Sequence, residues 1–272
     1  MNPNQIAKET SKILFEYGPR IHDLACKVMD VYTKPPEFKL TSGSGDYFFV
    51  DEDNSVVANS NTIHHVLEEL QRNYARYNPS LKELVVYSLE EEIPHYNHFV
   101  QHPNIWIYGA KILREAFIGQ LNNDNKKRDQ KFRQFVLQRS YIEGVGKKAR
   151  ILIENELEYP PKHLDIILTS LNLKNIGKWW DTIRENIGMY EESYMHESFG
   201  KTHDLLSGFI GRHLASKWNP DDLKRFAKQY KFEFTDEDFE ILNKTINELF
   251  PSFDQVFPWL IKGSLDTRMK VQ

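Results

Sequence analysis

The sequence predicts an all-α protein with a small irregular β excursion near 46–58. Two observations carry this. Apolar residues recur at helical spacing through most of the 272 residues. One stretch, KPPEFKLTSGSGDYFFVDEDNSVVANSN, departs from that period, with Pro35-Pro36, glycines and β-favouring runs at Tyr47–Val50 and Val56–Val57 around DEDNS.

In order, Ile6, Ile13, Leu14, Ile21, Leu24, Ala25, Val28 and Met29 mark a helix over 4–33, which Gly18-Pro19 should kink or split. Asn61-Thr62 caps the next helix, 62–77. A helix at 80–102 contains Pro94 and ends at Pro103-Asn104. Helices follow at 105–121, 127–141 and 145–158, the last stopping before Pro160-Pro161. Further helices are expected at 162–172, 175–187, 189–217, 220–230 and 236–248, with Pro251 and Pro258 breaking up the tail. No repeat or low-complexity linker interrupts the chain, so one domain over 1–272 is the economical organisation, with C-terminal helices over 220–272.

A net charge of −4 gives no general reason to expect nucleic acid or an anionic membrane as partner. No run has the apolar length of a membrane span. The start, MNPNQIAKETSKILFEYG, lacks a signal peptide's apolar core, so a reduced cytoplasm is the expected location. Cys26 is the only cysteine, which excludes an intramolecular disulfide. Its apolar-periodic segment reads as burial of a small hydrophobe rather than as a nucleophile's setting.

Two stretches carry pairs of potential metal ligands seven residues apart, close to two helical turns and so on one face. EEEIPHYNHF supplies Glu91 and His98, with His95 between them on the same face. HESFGKTH supplies His196 and His203, with Glu192 one turn upstream and Gly200 on that face. ILIENELEYPP adds Glu156 or Glu154. Imidazole and carboxylate without cysteine suit iron or manganese, and helix bundles build such sites from inward-facing Glu and His.

The order of these elements resembles the heme-oxygenase-like diiron oxidases and oxygenases, over roughly residues 62–215. The family pattern is Glu-x6-His on one helix, Glu on a second and His-x3-Asp-x2-His on a third. The resemblance implies a heme-oxygenase-like helical bundle and one or two iron ions held by Glu91, His98, Glu156, His196 and His203. Glu192 is a substitute ligand, and His95 a ligand or a group that orients one. It also implies dioxygen acting on a small amine, amino acid or fatty acid. Gly200 stands where the family has Asp, which leaves the second metal position weak or dependent on Glu192. Tyr87, Tyr96, Phe99, Tyr190, Tyr194 and Phe199 are the aromatics expected to line a substrate cavity. A homodimer is the default assembly.

Two other readings compete. YIEGVGKKARILIEN resembles a helix-hairpin-helix motif, with LNLKNIGKWWDTIREN a looser copy, and Lys126, Lys127, Arg128, Lys131, Arg133, Arg139, Lys147, Lys148 and Arg150 cluster around the first. Ala149, one residue early, Trp179-Trp180 in the second copy and the acidic net charge argue against nucleic acid. The other reading is a helical interaction or scaffold protein without metal. His22-Asp23 and His203-Asp204 are similar to the His-Asp pair of HD phosphohydrolases, but the further ligands of that family are not in place.

Overall fold

A computed structural model of the chain describes residues 2–43, 46, 48–51, 53–74, 79–157 and 164–271. Among them the chain is mostly helical with one small sheet, as the sequence predicts. The elements are α1 (Pro3–Met29), β1 (Phe38–Thr41), β2 (Phe48–Val50), β3 (Val56–Asn59), α2 (Ser60–Asn73), α3 (Leu81–Gln101), α4 (Ile105–Leu121), α5 (Asn125–Glu154), α6 (Leu164–Glu185), α7 (Glu192–Lys217), α8 (Pro220–Ala227), α9 (Asp236–Leu249) and α10 (Phe253–Val271). The expected ends of helices 62–77 and 145–158, the start of helix 162–172, Tyr47 and Pro160-Pro161 lie outside the described residues.

Local chemistry sets the helix starts. Asn2 with Gln5, Ser80 with Glu83, Asn219 with Asp222 and Thr235 with Asp238 each form a capping box, satisfying the first orphan amides of α1, α3, α8 and α9. Asn59, not Asn61, caps α2, accepting from the Thr62 amide. The sheet order is β1-β3-β2. β2 and β3 form the expected antiparallel hairpin, and Asp51 Oδ1 builds its turn by accepting from the Asp53 and Ser55 amides. β1 adds a parallel partner for β3, with Phe38 opposite Val56.

Several expected breaks are absent. Helix α1 runs through Gly18-Pro19: Pro19 and Phe15, whose carbonyl the proline leaves without a donor, both face solvent. Gly18 instead seats the Phe38 ring of β1. Helix α10 runs through Pro258. The segments expected at 127–141 and 145–158 are one helix, α5, and 175–187 continues the previous helix within α6. Gly144-Val145-Gly146 is therefore helical, and neither helix-hairpin-helix candidate has its turn.

The contacts group the chain into two compact units, the first Met1–Pro103, Val145–Ser170 and Lys217–Gln229, the second Asn104–Gly144, Leu171–Ser216 and Tyr230–Gln272. In the first unit α1 packs along α3, against α2, α8 and β1. Its core includes Ile6, Ile21, Met29, Val56, Ile63, Leu84 and Ile93. In the second unit Phe132, Phe199, Phe253 and Phe257 form an aromatic cluster, and buried Trp180 donates to the Pro251 carbonyl. Gly211 of α7 meets α5 closely: a Cβ there would lie 2.8 Å from the Ser140 carbonyl oxygen.

Candidate active site

The expected metal ligands divide between the units. Glu91, His95, His98 and Glu156 belong to the first, and His196, His203 and Glu192 to the second.

In the first unit, Glu91 Oε1 accepts from Lys147 Nζ at 2.5 Å, and Arg150 Nε lies 3.8 Å from Oε2. Burial alone would raise the Glu91 pKa, but the two cations outweigh it and hold it at about 2. His98 is buried and sits 2.7 Å from the Gln229 carbonyl. A carbonyl only accepts, so Nε2 carries the hydrogen. His102 makes the same kind of contact to the Ala227 carbonyl at 3.1 Å. The two histidines thus serve carbonyls at and just beyond the end of α8, groups that a helix leaves unsatisfied. Burial lowers the His98 pKa to about 3, so the ring is neutral. Glu156 is exposed, 3.6 Å from Lys27. Glu154, its alternative, takes Arg150 Nη1 at 2.5 Å.

In the second unit His196 Nδ1 lies 3.0 Å from Ser264 Oγ. His203 is wedged against the Phe135 and Phe199 rings with Nδ1 3.1 Å from Asp204. Glu192 pairs with Lys270. Nothing lies within 4 Å of a Cβ built on Gly200.

Glu91 and His95 do bring ligand atoms within 4.8 Å of each other. As held here, however, Glu91 does not fit an iron ion, because an ammonium and a guanidinium already face its two oxygens and would repel a second cation. Three basic residues of the nucleic-acid reading are similarly engaged: Arg128, Lys147 and Arg150 are buried, and each contacts a carboxylate. Of the expected cavity aromatics, Tyr87 donates to Asp165, Tyr96 donates to the Lys34 carbonyl, and Phe99 stacks on His95 and His98. In the other unit Tyr190 packs on Tyr194, and Phe199 belongs to the aromatic cluster.

A different constellation is complete within the first unit. Cys26 is partly exposed, not a buried hydrophobe. It lines an open pocket of about 730 Å³ with His22, Asp23, Tyr32, Thr33 and Lys34. His22 precedes Cys26 by one helical turn on α1, which puts Nε2 3.5 Å from Sγ. The chain leaves α1 at Asp30, in the left-handed conformation, and the residues that follow line the pocket beside the thiol. Three α3 side chains pin that segment: Gln101 donates to the Tyr32 carbonyl, Asn97 accepts from the Thr33 hydroxyl at 2.6 Å, and Tyr96 donates to the Lys34 carbonyl.

The donors run in one direction. Thr33 gives its hydroxyl hydrogen to Asn97 Oδ1, so its oxygen accepts from His22 Nε2 at 3.0 Å, and Nε2 is protonated. Asn97 Nδ2 donates to Sγ at 3.6 Å. The sulfur accepts from Asn97, a contact that favours its deprotonated form. Burial opposes charge on both groups. For Cys26 the contacts with His22 and Thr33 outweigh it and lower the thiol pKa. For His22 the contacts with Cys26 and Asp23 outweigh it and raise the imidazole pKa. Asp23 Oδ1 lies 3.7 Å from Nδ1 and favours the imidazolium. The sequence signal was the His22-x3-Cys26 spacing; Thr33, in the loop after α1, and Asn97, 71 residues from Cys26, gave none.

Compared with protein-family models, curated proteins and solved structures, the chain matches none.

Proposed function

We propose that the first unit is a thiol-dependent catalyst of acyl transfer, with Cys26 as nucleophile and His22 as its acid–base partner. The observation that carries this reading is the 3.5 Å contact between Cys26 Sγ and His22 Nε2 at an open pocket. The thiolate attacks an acyl carbonyl carbon and forms a thioester. The bond to the leaving group breaks, and the departing atom takes the proton from His22 Nε2. His22 then removes a proton from water, which attacks the thioester and releases the acid and the thiolate, leaving His22 protonated as at the start. Asn97 and Thr33 position the sulfur and the imidazole. The test is acetylation by p-nitrophenyl acetate. A burst of about one equivalent per chain, lost in Cys26→Ala, is expected for an acyl-enzyme. An equal burst from Cys26→Ala would sink the reading.

A second reading, a non-heme iron oxygenase, rests on the Glu91–His95 pair alone. It requires Lys147 to release Glu91. Anaerobic Fe(II) titration of the wild type and of Glu91→Gln decides it: stoichiometric binding lost in the variant supports a metal site, and equal binding by both removes it.

A further inference from the structure

We propose that Cys26 is also a site of reversible oxidation by hydroperoxides, stopping at a sulfenic acid that only a thiol from outside the chain can resolve. This rests on the thiol reading of the same site. The sulfur is reachable from solvent through the pocket, and the Asn97 side-chain amide already aims a donor at it from 3.6 Å. That donor serves an oxygen placed on sulfur as it serves the sulfur itself.

In the step, the Cys26 thiolate attacks one peroxide oxygen. The S–O bond forms as the O–O bond breaks. Sulfur is oxidised by two electrons and the peroxide is reduced by two. The leaving alkoxide or hydroxide takes the proton from His22 Nε2, 3.5 Å from the sulfur, and departs as alcohol or water. The chain has one cysteine, so no second thiol of its own can close a disulfide. A low-molecular-weight thiol attacks the sulfenic sulfur, giving a mixed disulfide and water. A second such thiol restores Cys26 and leaves as the small disulfide. Oxidation occupies the nucleophile, so hydroperoxide acts as a reversible off-switch for the acyl chemistry.

The test treats the full chain with hydrogen peroxide at pH 7 in the presence of dimedone and reads intact and peptide masses. The expected result is one adduct, on Cys26, formed at least ~tenfold faster than in the urea-unfolded chain. Without dimedone, dithiothreitol added after peroxide should return the unmodified mass. Labelling no faster than in the unfolded chain, or a mass that dithiothreitol does not reverse, overturns the inference. Alkylation by iodoacetamide on the same samples separates the two claims. Fast alkylation with slow oxidation removes the oxidation inference and leaves the thiolate; both reactions slow removes the thiol reading as well. No variant is needed, so a folding defect cannot mask the outcome.

Discussion

Lys147 Nζ lies 2.5 Å from Glu91 Oε1, inside the first unit, with both side chains largely buried. Removing either partner leaves a charge short of its closest compensation. Lys147→Ala should cost about 3–5 kcal/mol, the usual loss when a buried pair is broken. Lys147→Met with Glu91→Gln should recover most of it. Urea unfolding of the two variants against wild type checks this; a loss below ~1 kcal/mol in the single variant would mean that the pair is effectively solvated.

Glu90, the neighbour of Glu91, faces the opposite electrostatic situation. It is fully buried, and neither carboxyl oxygen has a hydrogen-bond partner among the described residues. Burial and then the Glu154 carboxylate push its pKa up to about 9, against Arg150. The folded value lies above the unfolded 4.5, so its contribution is fully present below pH 4.5 and is lost as pH rises through 9. Glu90→Gln keeps the neutral shape and should flatten the decline in stability between those limits. Glu91 acts in a separate window: its contribution is present above pH 4.5 and is lost as pH falls towards 2. Unfolding free energies measured across pH 5–9 would show the same slope in wild type and Glu90→Gln if Glu90 were ionised throughout.

His22→Ala removes the imidazole contact that holds the thiol pKa down. Iodoacetamide alkylation of Cys26 at pH 7 should slow by about tenfold, and its pH midpoint should move upward towards that of an ordinary thiol. Asn97→Ala should shift the midpoint the same way by a smaller amount and cost about 1–3 kcal/mol, since Thr33 loses its buried acceptor. Unchanged alkylation profiles in both variants would show that neither residue activates the sulfur.

Three glycines separate packing from propensity. A Cβ on Gly146 would sit 2.5 Å from His95 Nε2, and His95 is too buried to swing away. Gly211→Ala would meet backbone of α5. Each should cost about 1–3 kcal/mol. Gly200→Ala meets nothing within 4 Å and should gain about 0.5–1 kcal/mol from helix propensity. Thermal melts of the three variants test the contrast, which fails if Gly200→Ala is the most destabilised.

Local chemistry was legible where neighbours along the chain decide it. The apolar period located most helices, Pro103-Asn104 marked the end of α3, and β-favouring runs around DEDNS marked the β2–β3 hairpin. Glycine was misread where its use was spatial. Gly144 and Gly146 signal a turn in one dimension; in three, Gly146 makes room for His95, and Gly211 lets α7 approach the backbone of α5 at Gly144. The seven-residue spacings were correctly placed on helices, but spacing cannot say what a side chain meets. Lys147 met Glu91, and the end of α8 met His98.

The sequence by itself determined the helical class and which residues share a face, because backbone geometry acts over a few residues. Tertiary structure alone decided charge state and chemistry. Glu90 and Glu91 are adjacent and chemically identical, yet burial without a partner keeps one protonated while two cations keep the other ionised. Cys26 reads as an ordinary core cysteine until Thr33 and Asn97, the latter 71 residues away, converge on it. Proton affinity depends on solvent and on charges a few ångströms off, and which groups come that close is settled only when the chain packs.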